Sequence, residues 1–310
     1  MRRRQFIMAL GAFGAATALA PQAQAAEPIM ADITVDGLVG RFYAPPIARN
    51  RAAVLLLGGS NGGFPDPKVA TLLATAGYPV LALAYFQGFT GGNLTTLPAQ
   101  LKDIPLEYFF KGIDWLKQRP EVNRRKIVLM GESRGGELVL QLASMRRDVA
   151  GVIAYVPSHL RWGAVGPEGA GWTFEGKPLP YARDRYEPGK PMVEGFIKTL
   201  DGPPEALAAA AIPVEKIRGR VLLLSTTADQ FWPSSRMAEA AMARMAAKGK
   251  RGPRDHIRYD DASHLMMGPG PGMTAYGSGP YRIEFGGTAE GTRAARDDAW
   301  AKSLAFMARI

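Results

Sequence analysis

The sequence predicts an α/β fold, a mostly parallel central sheet flanked by helices and interrupted by one irregular lid insertion. Three observations carry that expectation. Short apolar runs alternate with helical stretches, as in β-α-β units around a parallel sheet. One of those runs, Ile127-Val128-Leu129-Met130, turns through a glycine-flanked segment directly into a helical pattern. Between Pro157 and Ala211 the alternation gives way to a stretch rich in Pro, Gly and aromatic residues, and an irregular segment of that length inside a compact domain usually shapes a binding site.

In chain order, Ile33–Val35 and Leu38–Tyr43 read as two early strands. Ala53–Leu57 is a continuous β-rich run emptying into Gly58-Gly59-Ser60-Asn61-Gly62-Gly63, a loop that needs unusual backbone angles. A helix is expected over about Lys68–Ala76, a buried strand over Pro79–Ala84, and a helix over Leu106–Arg119 with Ile113, Trp115 and Leu116 facing inward. Lys126–Met130 reads as a strand, Gly131–Gly135 as a sharp turn, Glu137–Met145 as a helix and Val149–Val156 as the next strand. The insertion regains periodicity only at Glu205–Ala211; beyond it follow a strand at Arg220–Ser225, a helix at Ser235–Ala247, a strand at His256–Tyr259 and a closing helix at Ala289–Ala308.

The 310 residues, 47% hydrophobic and 21% charged, suffice for one principal domain with a full core. The formal charge of +10 is spread along the chain, with only short clusters at Arg124-Arg125-Lys126 and Lys248–Arg254. With no concentrated stripe and no interleaved aromatics, a nucleic-acid partner is not expected. The chain has no cysteine, which excludes disulfides, thiolate metal sites and a cysteine nucleophile. Residues 1–25 read as an export signal: a basic start, an apolar run from Phe6 to Ala20, and the small-residue cleavage sequence Ala23-Gln24-Ala25. Arg3-Arg4-Gln5-Phe6-Ile7 resembles a twin-arginine signal, with Arg2 where Ser or Thr is usual and Met8 where Lys is common. An ordinary secretory signal or a retained anchor is the alternative. The expected location is periplasmic or secreted, the mature domain runs from 26 to 310, and no stable membrane span remains once the signal is removed, because a spanning helix needs about 20 apolar residues.

Gly131-Glu132-Ser133-Arg134-Gly135 matches G-x-S-x-G. The pattern alone is weak, but here it sits between a strand and a helix, where small flanking residues permit the strained turn that lifts a serine hydroxyl clear of the sheet. The following helix points its positive end at a developing anion. The bland reading is a strand–helix turn with a capping serine. A serine nucleophile needs a base. Of the three histidines, His159 precedes any acid of the second half, and His256 lies inside a strand's apolar alternation, where a hydrogen-bonded structural histidine is expected. His264, in the loop just past the last strand, has the position from which an imidazole reaches over the sheet's carboxyl edge. Asp229, four residues after Leu222-Leu223-Leu224-Ser225, is the acid at a strand end between Ser133 and His264; Asp260 and Asp261 read as a solvated turn. Donors to an oxyanion are expected from the backbone N–H of Arg134 and, in the glycine-rich loop, of Ser60. A phosphate-loop reading of Gly58–Gly63 is disfavoured because no Lys-Ser/Thr pair follows. No metal-ligand spacing and no dinucleotide fingerprint stands out, so no cofactor or metal is expected. Met266-Met267 reads as core or pocket lining.

Four segments resemble the C-terminal catalytic domain shared by acyl-CoA thioester hydrolases and bile acid-CoA:amino acid N-acyltransferases, within the α/β-hydrolase superfamily. They are Leu55-Leu56-Leu57-Gly58-Gly59-Ser60-Asn61-Gly62-Gly63, Ala82-Leu83-Ala84-Tyr85-Phe86, Gly131–Leu138, and Ala228-Asp229-Gln230-Phe231-Trp232-Pro233-Ser234. The resemblance runs from about Ala52 to His264 and implies the α/β-hydrolase fold, with the family's triad falling on Ser133, Asp229 and His264. Ser133 stands where the acyltransferase members carry Cys. Fewer than thirty residues separate the signal from the first core strand, so the immunoglobulin-like N-terminal domain of the animal members is not expected. The implied activity is hydrolysis of a small-molecule acyl thioester or carboxylic ester. Transfer of the acyl group to an amine or alcohol, a dienelactone-hydrolase-like esterase and a non-catalytic binding protein are the alternatives.

Overall fold

A computed structural model describes residues 27–47, 52–89, 94–166, 168–249, 252–279 and 282–310. The export-signal reading of residues 1–25 falls outside them. The main sheet has eight strands: β1 (Ile29–Val35), β2 (Leu38–Ala44), β3 (Ala53–Leu57), β4 (Val80–Ala84), β6 (Ile127–Glu132), β7 (Val149–Tyr155), β10 (Arg220–Thr226) and β11 (Arg254–Tyr259). Their spatial order is β1-β2-β4-β3-β6-β7-β10-β11. Only the β1/β2 and β2/β4 pairs are antiparallel; every other neighbour is parallel. Between them run β5 (Ile104–Pro105), β8 (Trp172–Phe174) and β9 (Lys177–Pro178), which form a small three-stranded sheet, and β12 (Ala275–Tyr276) with β13 (Ile283–Glu284), a two-stranded ribbon.

The central strands carry unbroken apolar runs because both sheet faces are covered, the usual signature of parallel sheets. The alternation of side chains sorts them into two cores. Leu55, Leu57, Leu81, Leu83, Leu129, Val152 and Leu223 face helices α2 (Leu106–Lys117), α3 (Arg134–Met145) and α6 (Ser234–Ala247). Val54, Leu56, Val80, Ala82, Val128, Met130, Ile153 and Leu224 face α1 (Pro67–Thr75) and α7 (Ala289–Met307). Helix α1 starts cleanly because Asp66 accepts the Lys68 N–H (2.8 Å) and Pro67 occupies the first turn. Helix α7 starts at Thr288, whose hydroxyl accepts the Gly291 N–H (3.0 Å). Ile113 and Leu116 are fully buried, while Trp115 is only partly covered and packs edge-on against Phe42 at 5.4 Å. Met266 and Met267 are core residues.

Two expectations require correction. The turn after β6 is tighter than Gly131–Gly135: the strand continues through Glu132 and α3 begins at Arg134, leaving Ser133 alone between them. The insertion from Pro157 to Ala211 is also more ordered than its composition suggests. It contains β8, β9, α4 (Met192–Leu200) and α5 (Pro204–Ala208), with Val193, Phe196 and Leu200 of α4 buried. Phe196 packs edge-on between Trp162 (4.7 Å) and Trp232 (5.7 Å), so helix α4 is held by aromatic packing. Among the described residues no helix is long and apolar enough to cross a membrane.

Candidate active site

Parallel strands bring their carboxyl ends to one edge, where ligands of open α/β sheets bind. Four segments of interest leave the sheet there: the glycine-rich loop after β3, Ser133 after β6, Asp229 three residues past β10, and His264 five residues past β11. Their convergence follows from topology.

Ser133 has φ 59° and ψ −121°, a left-handed conformation costly for a residue with a Cβ. Its own N–H donates to Tyr155 O (3.0 Å), and its carbonyl accepts the Glu137 N–H (2.9 Å), so the strained turn is held from both sides. Glycines make room for it. A methyl on Gly135 would lie 2.5 Å from Gly58 O and 2.7 Å from Leu57 O, and one on Gly136 2.6 Å from Tyr155 O. The Ser133 side chain makes no cap hydrogen bond to α3, so the capping explanation of this serine fails.

His264 is 2% exposed and Asp229 3% exposed. The imidazole Nδ1 lies 2.9 Å from Asp229 Oδ2 and 3.1 Å from Oδ1. Because a carboxylate only accepts, Nδ1 carries the proton and Nε2 is left with a free lone pair. That buried Nε2 has no hydrogen-bond partner among the described residues. Asp229 is itself fixed: Oδ1 accepts the N–H groups of Phe231 (3.0 Å) and Trp232 (3.1 Å). The imidazole is walled by Phe231 (4.7 Å), Trp232 (5.7 Å, edge-on) and Phe285 (6.3 Å). Phe285 also accepts the His264 N–H at its carbonyl (2.9 Å), which ties the histidine to the β12/β13 ribbon.

The glycine-rich loop abuts the Ser133 turn, since a methyl on Gly59 would stand 3.4 Å from Ser133 Cβ. Tyr85 pins that loop by donating its hydroxyl to Gly58 O (2.7 Å), and burial raises its phenol above the ordinary range. Ser60 stands in this loop, one residue beyond Gly59. The Arg134 backbone opens α3, whereas its guanidinium is occupied elsewhere: it pairs with Glu137 (3.3 Å) and donates to Trp162 O (2.9 Å). Glu137 is fully buried and accepts from Trp172 Nε1 (2.6 Å) and Trp162 N (3.2 Å). Burial raises its carboxyl, with Arg134 the main opposing influence. Arg161 adds a second tie, donating to Gln141 Oε1 (2.9 Å) on α3 and to Pro180 O (2.8 Å) and Ala209 O (2.5 Å) within the insertion.

The other two histidines are separate. His256 Nε2 is 2.7 Å from Ser225 Oγ between β10 and β11, a hydrogen-bonded structural histidine with a pKa lowered by burial. His159, at the start of the insertion, is pushed down to about 4 by burial and by Arg236 and Arg244. Among the described residues no group of three or more His, Asp or Glu side chains is placed to hold a metal ion.

The model for the BAAT / acyl-CoA thioester hydrolase C-terminal family matches residues 104–310. Human acyl-coenzyme A thioesterase 1 is 29% identical over 277 residues, covering 86% of this chain and 62% of that protein. Human mitochondrial acyl-coenzyme A thioesterase 2 is 28% identical over 284 residues, covering 89% of this chain and 56% of that protein. The chain thus spans about three fifths of the length of these relatives. Among solved structures, the acylaminoacyl peptidase of Pyrococcus horikoshii superposes with a TM-score of 0.59 at 13% identity, over 93% of this chain and 42% of that one. A dienelactone hydrolase-like promiscuous phosphotriesterase from metagenomic libraries gives 0.53 at 14% identity, over 92% and 99%. At such identities the likeness speaks for the α/β-hydrolase fold alone.

Proposed function

Because this chain belongs to the BAAT / acyl-CoA thioester hydrolase C-terminal family, we propose that it hydrolyses acyl thioesters or carboxylic esters through an acyl-enzyme on Ser133. The supporting observation is the buried Asp229–His264 hydrogen bond, which leaves Nε2 unpaired at the sheet edge where Ser133 sits on its positive-φ turn. In this reading Ser133 Oγ attacks the acyl carbon while His264 Nε2 takes the hydroxyl proton and Asp229 stabilises the imidazolium. The tetrahedral oxyanion is met by the backbone N–H of Arg134 and of Ser60. Collapse expels the thiol or alcohol, which receives the proton from His264. Water, deprotonated by the same imidazole, then releases the acid and restores Ser133.

The test is Ser133→Ala against a panel of p-nitrophenyl esters and acyl-CoAs of graded chain length, with fluorophosphonate labelling of the wild type. Loss of turnover by several orders of magnitude, with the far-UV spectrum unchanged and labelling confined to Ser133, is expected. A Ser133→Ala protein that hydrolyses at the wild-type rate would sink the reading.

A further inference from the structure

Glu132, between Gly131 and Ser133, takes no part in the chemistry described so far. Its side chain nevertheless crosses to the loop that carries His264: Oε1 accepts the N–H groups of Met266 (2.8 Å) and Met267 (2.7 Å). The opposite polarity of the same loop is answered from α7. Arg296 donates from Nε to Gly268 O (2.7 Å), from Nη1 to Leu265 O (3.1 Å) and from Nη2 to Met267 O (3.2 Å). One carboxylate therefore collects the loop's amides and one guanidinium its carbonyls, with the loop between them.

The arrangement is costly. Burial raises the Glu132 carboxyl above the usual range, and the neighbouring His264 ring, the amides of Met267 and Met266 and the Arg296 guanidinium act against that rise. A buried carboxylate with no purpose is ordinarily replaced by an apolar side chain. Here it joins the residue next to Ser133, on a strand buried between two layers, to the loop beyond β11 that carries His264. That link ties the His264 loop directly to the strand that carries Ser133.

We propose that Glu132 is a positioning residue, with Arg296 as its counterpart, that fixes the His264 loop relative to the Ser133 turn so that Nε2 faces the serine hydroxyl. This deepens, and rests on, the reading of His264 as the base. The loop has other anchors, including His264 N to Phe285 O (2.9 Å) and Ser263 N to Thr292 Oγ1 (2.9 Å), so loss of Glu132 displaces it without unfolding it.

The experiment measures kcat and KM on a p-nitrophenyl ester for the full chain carrying Glu132→Ala, Glu132→Gln or Arg296→Lys, alongside Ser133→Ala. A displacement on the order of 1 Å costs about 10²-fold in rate, so Glu132→Ala is expected to lower kcat about 10²-fold with KM within about threefold. Glu132→Gln keeps a carbonyl oxygen where the two amides need it and should recover kcat to within about tenfold of wild type. Arg296→Lys keeps the charge but loses the three-way fork, and should lower kcat by about tenfold. If Glu132→Ala proves unfolded by circular dichroism, the Gln and Lys variants decide on the same criteria. A Gln variant no faster than a folded Ala variant, an effect carried by KM alone, or a fully active Arg296→Lys overturns the assignment. Wild-type turnover in Ser133→Ala overturns the nucleophile reading instead.

Discussion

Replacing Asp229 by Asn changes one atom, and the structure fixes what that atom does. Oδ1 holds the amides of Phe231 and Trp232, while Oδ2 is the oxygen nearer His264 Nδ1. The two amides require an acceptor, so the carboxamide oxygen of Asn must take the Oδ1 place and its NH2 must face the imidazole. Two donors then oppose each other unless the ring moves its proton to Nε2, and that tautomer cannot accept the proton of Ser133. The expected loss is about 10⁴ in kcat, the scale seen when a triad acid is neutralised, equivalent to about 5.4 kcal/mol of transition-state stabilisation. Stability should follow a different order. Asn retains both backbone hydrogen bonds, whereas Ala abandons them and leaves donors without partners at about 1–3 kcal/mol each. Asp229→Ala should therefore be roughly 2–6 kcal/mol less stable than Asp229→Asn. Steady-state hydrolysis of a p-nitrophenyl ester and urea denaturation read the two quantities independently. An Asn variant within about tenfold of wild-type kcat, or one as unstable as the Ala variant, would refute the reasoning.

Two further outcomes are expected. Gly135→Ala places a methyl against the carbonyls of Gly58 and Leu57; overpacking of this kind costs about 1–3 kcal/mol, and the displaced glycine-rich loop should lower kcat as well. Wild-type stability and turnover in that variant would show that the Ser133 turn tolerates a wider geometry. His159 is held neutral with its pKa down to about 4, so the unfolded chain binds its proton first as pH falls. Stability is complete above the ordinary value of about 6.5 and declines between there and about 4, by up to about 3 kcal/mol from this group. His159→Gln should flatten that part of the pH–stability curve, and an unchanged slope in urea titrations would discount the group.

The main sheet was legible because its strands obey one rule: buried on both faces, they read as unbroken apolar runs such as Val54–Leu57 and Leu222–Leu224. Topology then carried Ser133, Asp229 and His264 to one edge, since each follows the carboxyl end of a parallel strand. Helix α4 escaped because Gly195 interrupts its pattern and its stability comes from Trp162 and Trp232, distant in sequence. The strands β5, β8, β9, β12 and β13 are two or three residues long, too short for any period to show. Glu132 was hidden for a different reason. In G-x-S-x-G it occupies a variable position, and only its contact with Met266 and Met267, more than 130 residues away, gives it meaning. The one available signal was chemical: an acid directly beside the candidate nucleophile, at the end of an apolar strand, needs a partner.

The fastening of the insertion to α3 constrains how new substrate ranges can arise in this scaffold. Trp162 and Trp172 hang from Glu137, and Arg134, whose amide opens the helix beside Ser133, grips the Trp162 carbonyl. A segment transplanted from a relative across residues 157–211 would meet a helix shaped for a different guest unless its own equivalents of Arg134 and Glu137 travelled with it. The insertion and the Ser133 turn are therefore coupled through α3, and an exchange of the insertion should succeed only with matching changes on both sides of that seam.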